Sequence, residues 1–275
     1  MTNSEEVKAR IRTNWIGAAE VWDKRHEELE QRSRPVNEWL CQAAGLKPGW
    51  RVLDLASGTG QPALTAAAAV GAEGSVLATD IAPTMVEVIN RRARESGITN
   101  LEAREMDMDA LDFPDGSFDA VTCRWGFMFS PQPVRALSEA RRVLRDGGRL
   151  ATATWDFGPD NTWMLIAFRA IGTVNPRGGG GAPPSNLDSV ETLSAALHEA
   201  GFTDFTAEKQ TFPFEFVSGE AWWDFLMDFG NAVISRFSPE EQARIRTAAV
   251  AEAETHRRGD SIVLGASCIC AVATK

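Results

Sequence analysis

Short apolar runs and helix-spaced apolar positions take turns along most of this chain. Val52–Leu55 is a run interrupted only by Asp54; it stops at Ala56-Ser57-Gly58-Thr59-Gly60 and gives way to the alanine-rich stretch Ala63–Val70. The pattern predicts a buried strand, a glycine turn and a helix. A second strand, Ser75–Thr79, ends in Asp80, and a helix over 83–96 opens at Pro83 and stops before Gly97. Leu101–Glu105 reads as a third strand, leading to Met106-Asp107-Met108-Asp109. The polar turn Phe113–Ser117 precedes a fourth strand, Phe118–Cys123. A helix over 132–145 then reaches Asp146-Gly147-Gly148 and a fifth strand, Arg149–Thr154. Upstream, residues 4–31 read as a helix with Ile11, Trp15, Ala18, Ala19 and Trp22 at helical spacing, and residues 35–45, from Pro35 to Gly45, as a second.

After residue 154 the rhythm breaks. Residues 156–186 hold an apolar segment, Trp163–Ile171, and the run Gly178–Pro184, which reads as a flexible loop. A helix over 189–200, a strand over 203–209, two helices within 211–260 and a last strand over 262–273 complete the chain. Strands alternating with helices imply an α/β fold: a doubly wound, seven-stranded, mostly parallel sheet with helices on both faces. The expected organisation is an N-terminal helical cap (1–45) and a Rossmann-like domain (46–275) carrying helical lid insertions at about 156–186 and 211–260. Ligands on such sheets bind at the carboxyl ends of the strands.

Composition narrows the class. The chain has 275 residues, 44% of them hydrophobic, enough for a sizeable core. No window reaches the roughly 18 apolar residues of a membrane span, and Met1–Glu6 shows no secretory signal. Cys41, Cys123, Cys268 and Cys270 are scattered; Cys268 and Cys270 share a strand face, an arrangement that does not favour a disulfide. A reduced, cytoplasmic protein is expected. Twenty-eight basic against 38 acidic residues leave a net charge of −10, which argues against nucleic acid as a partner. A homodimer stays open.

The glycine turn is where chemistry is expected. Gly58 and Gly60 let backbone approach a ligand closely, and the helix that follows aims its dipole at the same place. Asp80, at the end of the next strand, is placed to accept hydrogen bonds from ribose hydroxyls. The turn does not match the nicotinamide fingerprint G-x-G-x-x-G, since Ala56 and Ala63 replace two glycines. A reductase Tyr-x-x-x-Lys pair is impossible in a chain with no tyrosine.

Asp54 followed by A-S-G-T-G resembles motif I of the class I S-adenosylmethionine-dependent methyltransferases. With Asp80, the Asp107-Met108 pair, F-P-D-G-S-F-D-A-V at Phe113–Val121 and R-V-L-R-D-G-G-R-L at Arg142–Leu150, the chain is similar in style to the small-molecule enzymes of ubiquinone and menaquinone biosynthesis. The resemblance implies S-adenosyl-L-methionine as cofactor and no metal. Asp54 and the backbone from Ala56 through Ser57 and Gly58 to Gly60 would hold its methionine end, and Asp80 its ribose. Ile81 and Met85 would lie against the adenine, Asp107 would accept from its amino group, and Met108 would pack beside the ring. Arg124 and Trp125 would lie near the methionine portion. Two departures stand out: Ala56 where glycine is commonest, and Ser57 where cysteine is frequent. Each aspartate also has a structural use. Asp54 could anchor the turn, Asp80 could cap the next helix, and Asp107 could belong to a surface turn.

Methyl transfer needs alignment and exclusion of water more than it needs a dedicated base. The catalytic residue is therefore left unknown, with His26, beside Trp22, the one histidine placed near a capped pocket. The acceptor is expected to be a hydrophobic or aromatic small molecule held by Trp15, Trp22, Phe127, Met128, Trp163, Trp222 and Phe229. Ordinary packing is the competing use of each aromatic. The alternative function is a non-methylating S-adenosylmethionine-binding enzyme of the same fold, of pericyclase or decarboxylase type.

Overall fold

The computed structural model describes residues 3–175 and 187–275; the expected loop at Gly178–Pro184 lies outside them. In chain order the elements are α1 (Asn3–Lys24), α2 (His26–Ala43), β1 (Arg51–Leu55), α3 (Ala63–Val70), β2 (Ser75–Asp80), α4 (Pro83–Glu95), β3 (Leu101–Glu105), β4 (Phe118–Arg124), α5 (Pro133–Val143), β5 (Leu144–Trp155), α6 (Thr162–Val174), α7 (Val190–Glu199), β6 (Asp204–Phe216), α8 (Gly219–Ile234), α9 (Pro239–Glu254), β7 (Arg257–Arg258) and β8 (Ser261–Thr274).

The strands form one sheet in the order β3-β2-β1-β4-β5-β8-β6, with the two-residue β7 hydrogen-bonded to β8. β3, β2, β1, β4 and β5 pair in parallel; β8 runs antiparallel between β5 and β6. The central strands are buried on both faces, which is why they read as near-continuous apolar runs. Alternation sorts the side chains into two cores. Leu53, Leu55, Val121 and Ile269 pack toward α5 and α7. Val52, Ala120, Ala151 and Cys268 pack on the other face with α2, α3, α6, α8 and α9. After β1 the chain adds β2 on one side and later β4 on the other, so the crevice between β1 and β4 is the topological switch point.

Several expected boundaries move: α1 ends at Lys24, short of the expected 31, and β5 begins at Leu144, five residues ahead of the expected Arg149. α2 begins at His26 and carries Pro35 in its interior, not at its start. Proline costs an interior helix roughly 3 kcal/mol. The buried stripe Leu29, Ser33, Val36, Asn37, Leu40 and Cys41 runs straight across it, and burial of that stripe outweighs the local cost. β6 continues to Phe216, past the expected end at 209. Pro213 is tolerated because β6 is the sheet edge and pairs only with β8. No helix among the described residues is long and apolar enough to cross a membrane.

Candidate active site

The turn after β1 is held in a conformation that most side chains avoid. Ala56 has φ 52°, Gly58 55° and Gly60 117°; at the end of the adjacent strand β4, Trp125 has φ 58°. Two non-glycine residues with positive φ, on neighbouring strand ends at the switch point, mark backbone strain of the kind that gathers at functional sites. A Cβ on Gly58 would touch nothing within 4 Å, so the turn is open there. A Cβ on Gly126 would lie 2.6 Å from both Ala56 Cβ and Cys123 Sγ, so glycine is required for the two strand ends to close on each other.

The three aspartates differ in their partners. Asp80 Oδ2 accepts from Gly58 N and Oδ1 from Ala82 N, each at 2.9 Å, tying the glycine turn to the end of β2. Asp54 is fully buried; its Oδ1 accepts from Thr122 Oγ1 at 2.6 Å, and its Oδ2 has no partner. Burial pushes both carboxyls up, to about 6, with hydrogen bonds opposing the rise. Asp107 Oδ1 accepts from Asp109 N at 2.9 Å and its Oδ2 from Lys8 Nζ at 2.7 Å; the same ammonium lies 2.7 Å from Asp109 Oδ2. Burial disfavours the Lys8 charge, but its bonds to Asp107 and Asp109 outweigh that and raise its pKa. The first half of α1 therefore lies over this end of the site, clipped there by Lys8 and by Arg12 to Glu105.

A cavity of about 370 Å³ runs along these strand ends. Of the expected cofactor residues, Ala56, Ser57, Gly58, Asp80, Ile81, Met85, Asp107, Met108, Arg124 and Trp125 line it; Asp54 and Gly60 stand behind the turn. Gly60 faces Leu64, 3.1 Å from where a Cβ would be. Of the expected acceptor residues, Trp15, Trp22, Trp163 and Phe229 line the cavity. Phe127, Met128 and Trp222 do not. Phe127 is fully buried in the core toward α5 and α7. Met128 packs on the opposite core. Trp222 is fully buried, donating from Nε1 to Trp163 O at 3.0 Å, and so supports the wall from behind. His26 also stays out of the cavity. Its Nδ1 makes a 2.9 Å hydrogen bond with Thr59 Oγ1 in the glycine turn, and burial lowers its pKa to about 4. A histidine so placed is neutral and a poor base; it braces the turn.

Lys8 and Trp155 escaped sequence reading: they reach the cavity by an approach that only the tertiary fold fixes, whereas Phe129, Leu226 and Met227 lie in the stretches 126–129 and 219–230 expected to build the acceptor wall. Trp125 and Trp155 stack with centroids 4.1 Å apart, and Trp163 follows Trp155 at 5.4 Å. Across the cavity Trp15 meets Trp22 at 5.6 Å and Phe129 at 5.1 Å, and Trp22 meets Phe229 at 5.1 Å. One end of the cavity is thus carboxylate-rich and the other aromatic.

Residues 52–148 match the family model described as "Methyltransferase domain". An uncharacterised protein of Mycobacterium tuberculosis is 35% identical over 174 residues, 63% of this chain and 61% of that protein. The matched stretch therefore spans less than two thirds of that relative. The ubiquinone/menaquinone biosynthesis C-methyltransferase UbiE of Brucella abortus is 44% identical over 112 residues, 40% of this chain and 41% of that enzyme. Among solved structures, YcgJ of Bacillus subtilis superposes with a TM-score of 0.59 at 20% identity, covering 87% of this chain and 97% of YcgJ. The [4+2]-cyclase SpnF gives 0.58 at 21%, covering 89% and 81%; at such identities the likeness is one of fold. Residues 52–148 are a methyltransferase domain of the class I, S-adenosylmethionine-dependent family, and the chain resembles the ubiquinone/menaquinone C-methyltransferases.

Proposed function

We propose that this chain transfers the methyl group of S-adenosylmethionine to a hydrophobic or aromatic small molecule. The observation that carries the reading is one continuous cavity whose polar end is the glycine turn with Asp80 and Asp107, and whose other end is an indole-rich wall from α1, α6 and α8. Two features of the polar end suit the cofactor. Gly58 leaves open space where a side chain would project, and the buried Asp54 Oδ2 lacks a partner beside it. The turn backbone, braced from behind by the buried Asp54, would hold the methionine end, Asp80 the ribose hydroxyls, and Asp107 the adenine amino group between Ile81, Met85 and Met108.

When bound, the cofactor supplies a methyl group already activated on a sulfonium. The protein's part is to fix the angle of approach and to keep water away. Alignment alone is worth effective molarities of about 10⁵–10⁸ M. Trp125, stacked on Trp155, and Trp163 would fix a planar acceptor beside the turn, while Trp15, Trp22 and Phe229 close the opposite side. Histidine and cysteine are absent from the described cavity wall, and His26 is held by Thr59. Proximity and desolvation are therefore the main source of rate, and the acceptor brings its own nucleophilic atom. The N-terminal helices act as a cap, and α6 and α8 as the substrate-side insertions. Four free, buried cysteines support a reducing, cytoplasmic setting.

The test is incubation with labelled S-adenosylmethionine and a panel of apolar aromatic acceptors, followed by chromatography for S-adenosylhomocysteine and methylated product. Product formed at the expense of label supports the reading. Tight cofactor binding with an acceptor consumed and no S-adenosylhomocysteine released would instead assign a non-methylating reaction.

A further inference from the structure

The strand-facing side of α2 carries a polar stripe, His26, Glu30, Ser33 and Asn37, spaced four, three and four residues apart and lying against the ends of β1 and β4. Its upper member holds Thr59 of the glycine turn. The other three surround Arg124. Nη1 of Arg124 donates to Glu30 Oε2 at 3.0 Å and to Ser33 Oγ and Asn37 Oδ1 at 2.8 Å, and Nη2 donates to Glu30 Oε1 at 2.8 Å. Asn37 Nδ2 in turn donates to Glu30 Oε2 at 2.8 Å. The pair is deep, with side-chain exposures of 4% for Arg124 and 12% for Glu30.

Arg124 nonetheless lines the cavity, between the glycine turn and Trp125, and its Nε is buried without a partner. Its guanidinium lies 4.6 Å from the centre of the Trp125 ring. A cation at this point faces the end of the cavity where the sulfonium would sit. Like charges there would repel, and in a water-poor cavity the repulsion is strong. Glu30 cancels the charge while leaving the guanidinium plane in place as part of the wall.

We propose that Glu30 is a positioning residue for the cofactor: by neutralising Arg124 it admits a cationic sulfonium and sets the preference for S-adenosylmethionine over S-adenosylhomocysteine. This rests on the cofactor reading above. The two molecules share adenosine, carboxylate and ammonium and differ by a methyl group and one positive charge. The ratio of their affinities therefore isolates the electrostatic part, because any general loosening of the site acts on both.

The experiment is calorimetric titration of each compound into the unaltered chain and into Glu30→Gln. The ratio of the two dissociation constants should move against S-adenosylmethionine by about thirtyfold, the effect of one unbalanced charge roughly 8 Å away at an effective dielectric near 20. The neutral pair Glu30→Gln/Arg124→Gln should bring the ratio back to within about twofold of the starting value. If thermal melts show that Glu30→Gln alone does not fold, Glu30→Gln/Arg124→Lys carries the same unbalanced charge on a more flexible stem and must move the ratio against S-adenosylmethionine likewise. Equal losses for both compounds, or an unmoved ratio, overturn the proposal and leave Glu30 a packing residue. If the unaltered chain binds neither compound, the cofactor reading itself fails, a separate result.

Discussion

Replacing Asp54 with asparagine keeps the shape of the side chain and removes a charge from a place where burial outweighs its hydrogen bonds and the nearby Arg124. Asp54 is wholly buried, one oxygen accepts from Thr122, the other has no partner, and burial lifts the carboxyl from 3.8 to about 6. The folded chain thus holds this proton more tightly than the unfolded chain does. The resulting stability is complete below the unfolded value and is lost as pH rises through the folded one. A displacement of that size corresponds to about 3 kcal/mol between pH 3 and pH 8. Asparagine escapes that cost but brings an amide N–H with no acceptor, worth about 1–2 kcal/mol in the other direction. The ligand-free variant should therefore be more stable at pH 8 by about 1–2 kcal/mol, a rise in Tm of about 2–6 °C for a chain of this size. At pH 4, where the native aspartic acid is already protonated, the gain should vanish or reverse. Thermal melts of both proteins at the two pH values decide the matter. An equal change at both would show that charge burial is not the cause. The same variant should bind S-adenosylmethionine more weakly, which would make Asp54 a residue retained for function at a cost in stability.

Asp80→Ala removes a carboxylate bonded to Gly58 N and Ala82 N, and calorimetry should show cofactor affinity reduced by about 10- to 150-fold. Unchanged affinity would take Asp80 out of the site. Lys8→Met strips the nearest cation from the buried Asp109. None of residues 5–18 is fully buried, so the start of α1 should open more often; proteolytic cleavage within it should speed up about tenfold, with no change expected if apolar contacts alone hold it. Gly126→Ala pushes a methyl group into Ala56 and Cys123 and should cost about 1–3 kcal/mol in urea unfolding; a neutral result would mean the β1 and β4 ends are freer to part than their packing implies.

The order of strands and helices between residues 51 and 155 was legible in the sequence because each element there is local. A buried parallel strand is an apolar run, a turn needs its glycines, and a helix repeats every 3.6 residues. The three aspartates could be found for the same reason, since each sits where a strand ends. Tertiary structure decided the rest. Whether Phe127 faced the acceptor or the core depended on the short 3₁₀ turn after β4, which spacing does not encode. Pro35 read as a helix start because its local cost is visible in sequence, whereas the burial that overcomes it belongs to strands β4, β5 and β6 far along the chain. Lys8 meets Asp107 across 99 positions, and Glu30 meets Arg124 across 94. Pairs of that separation leave no periodic trace, because they follow from where whole helices come to rest and not from any pattern within them.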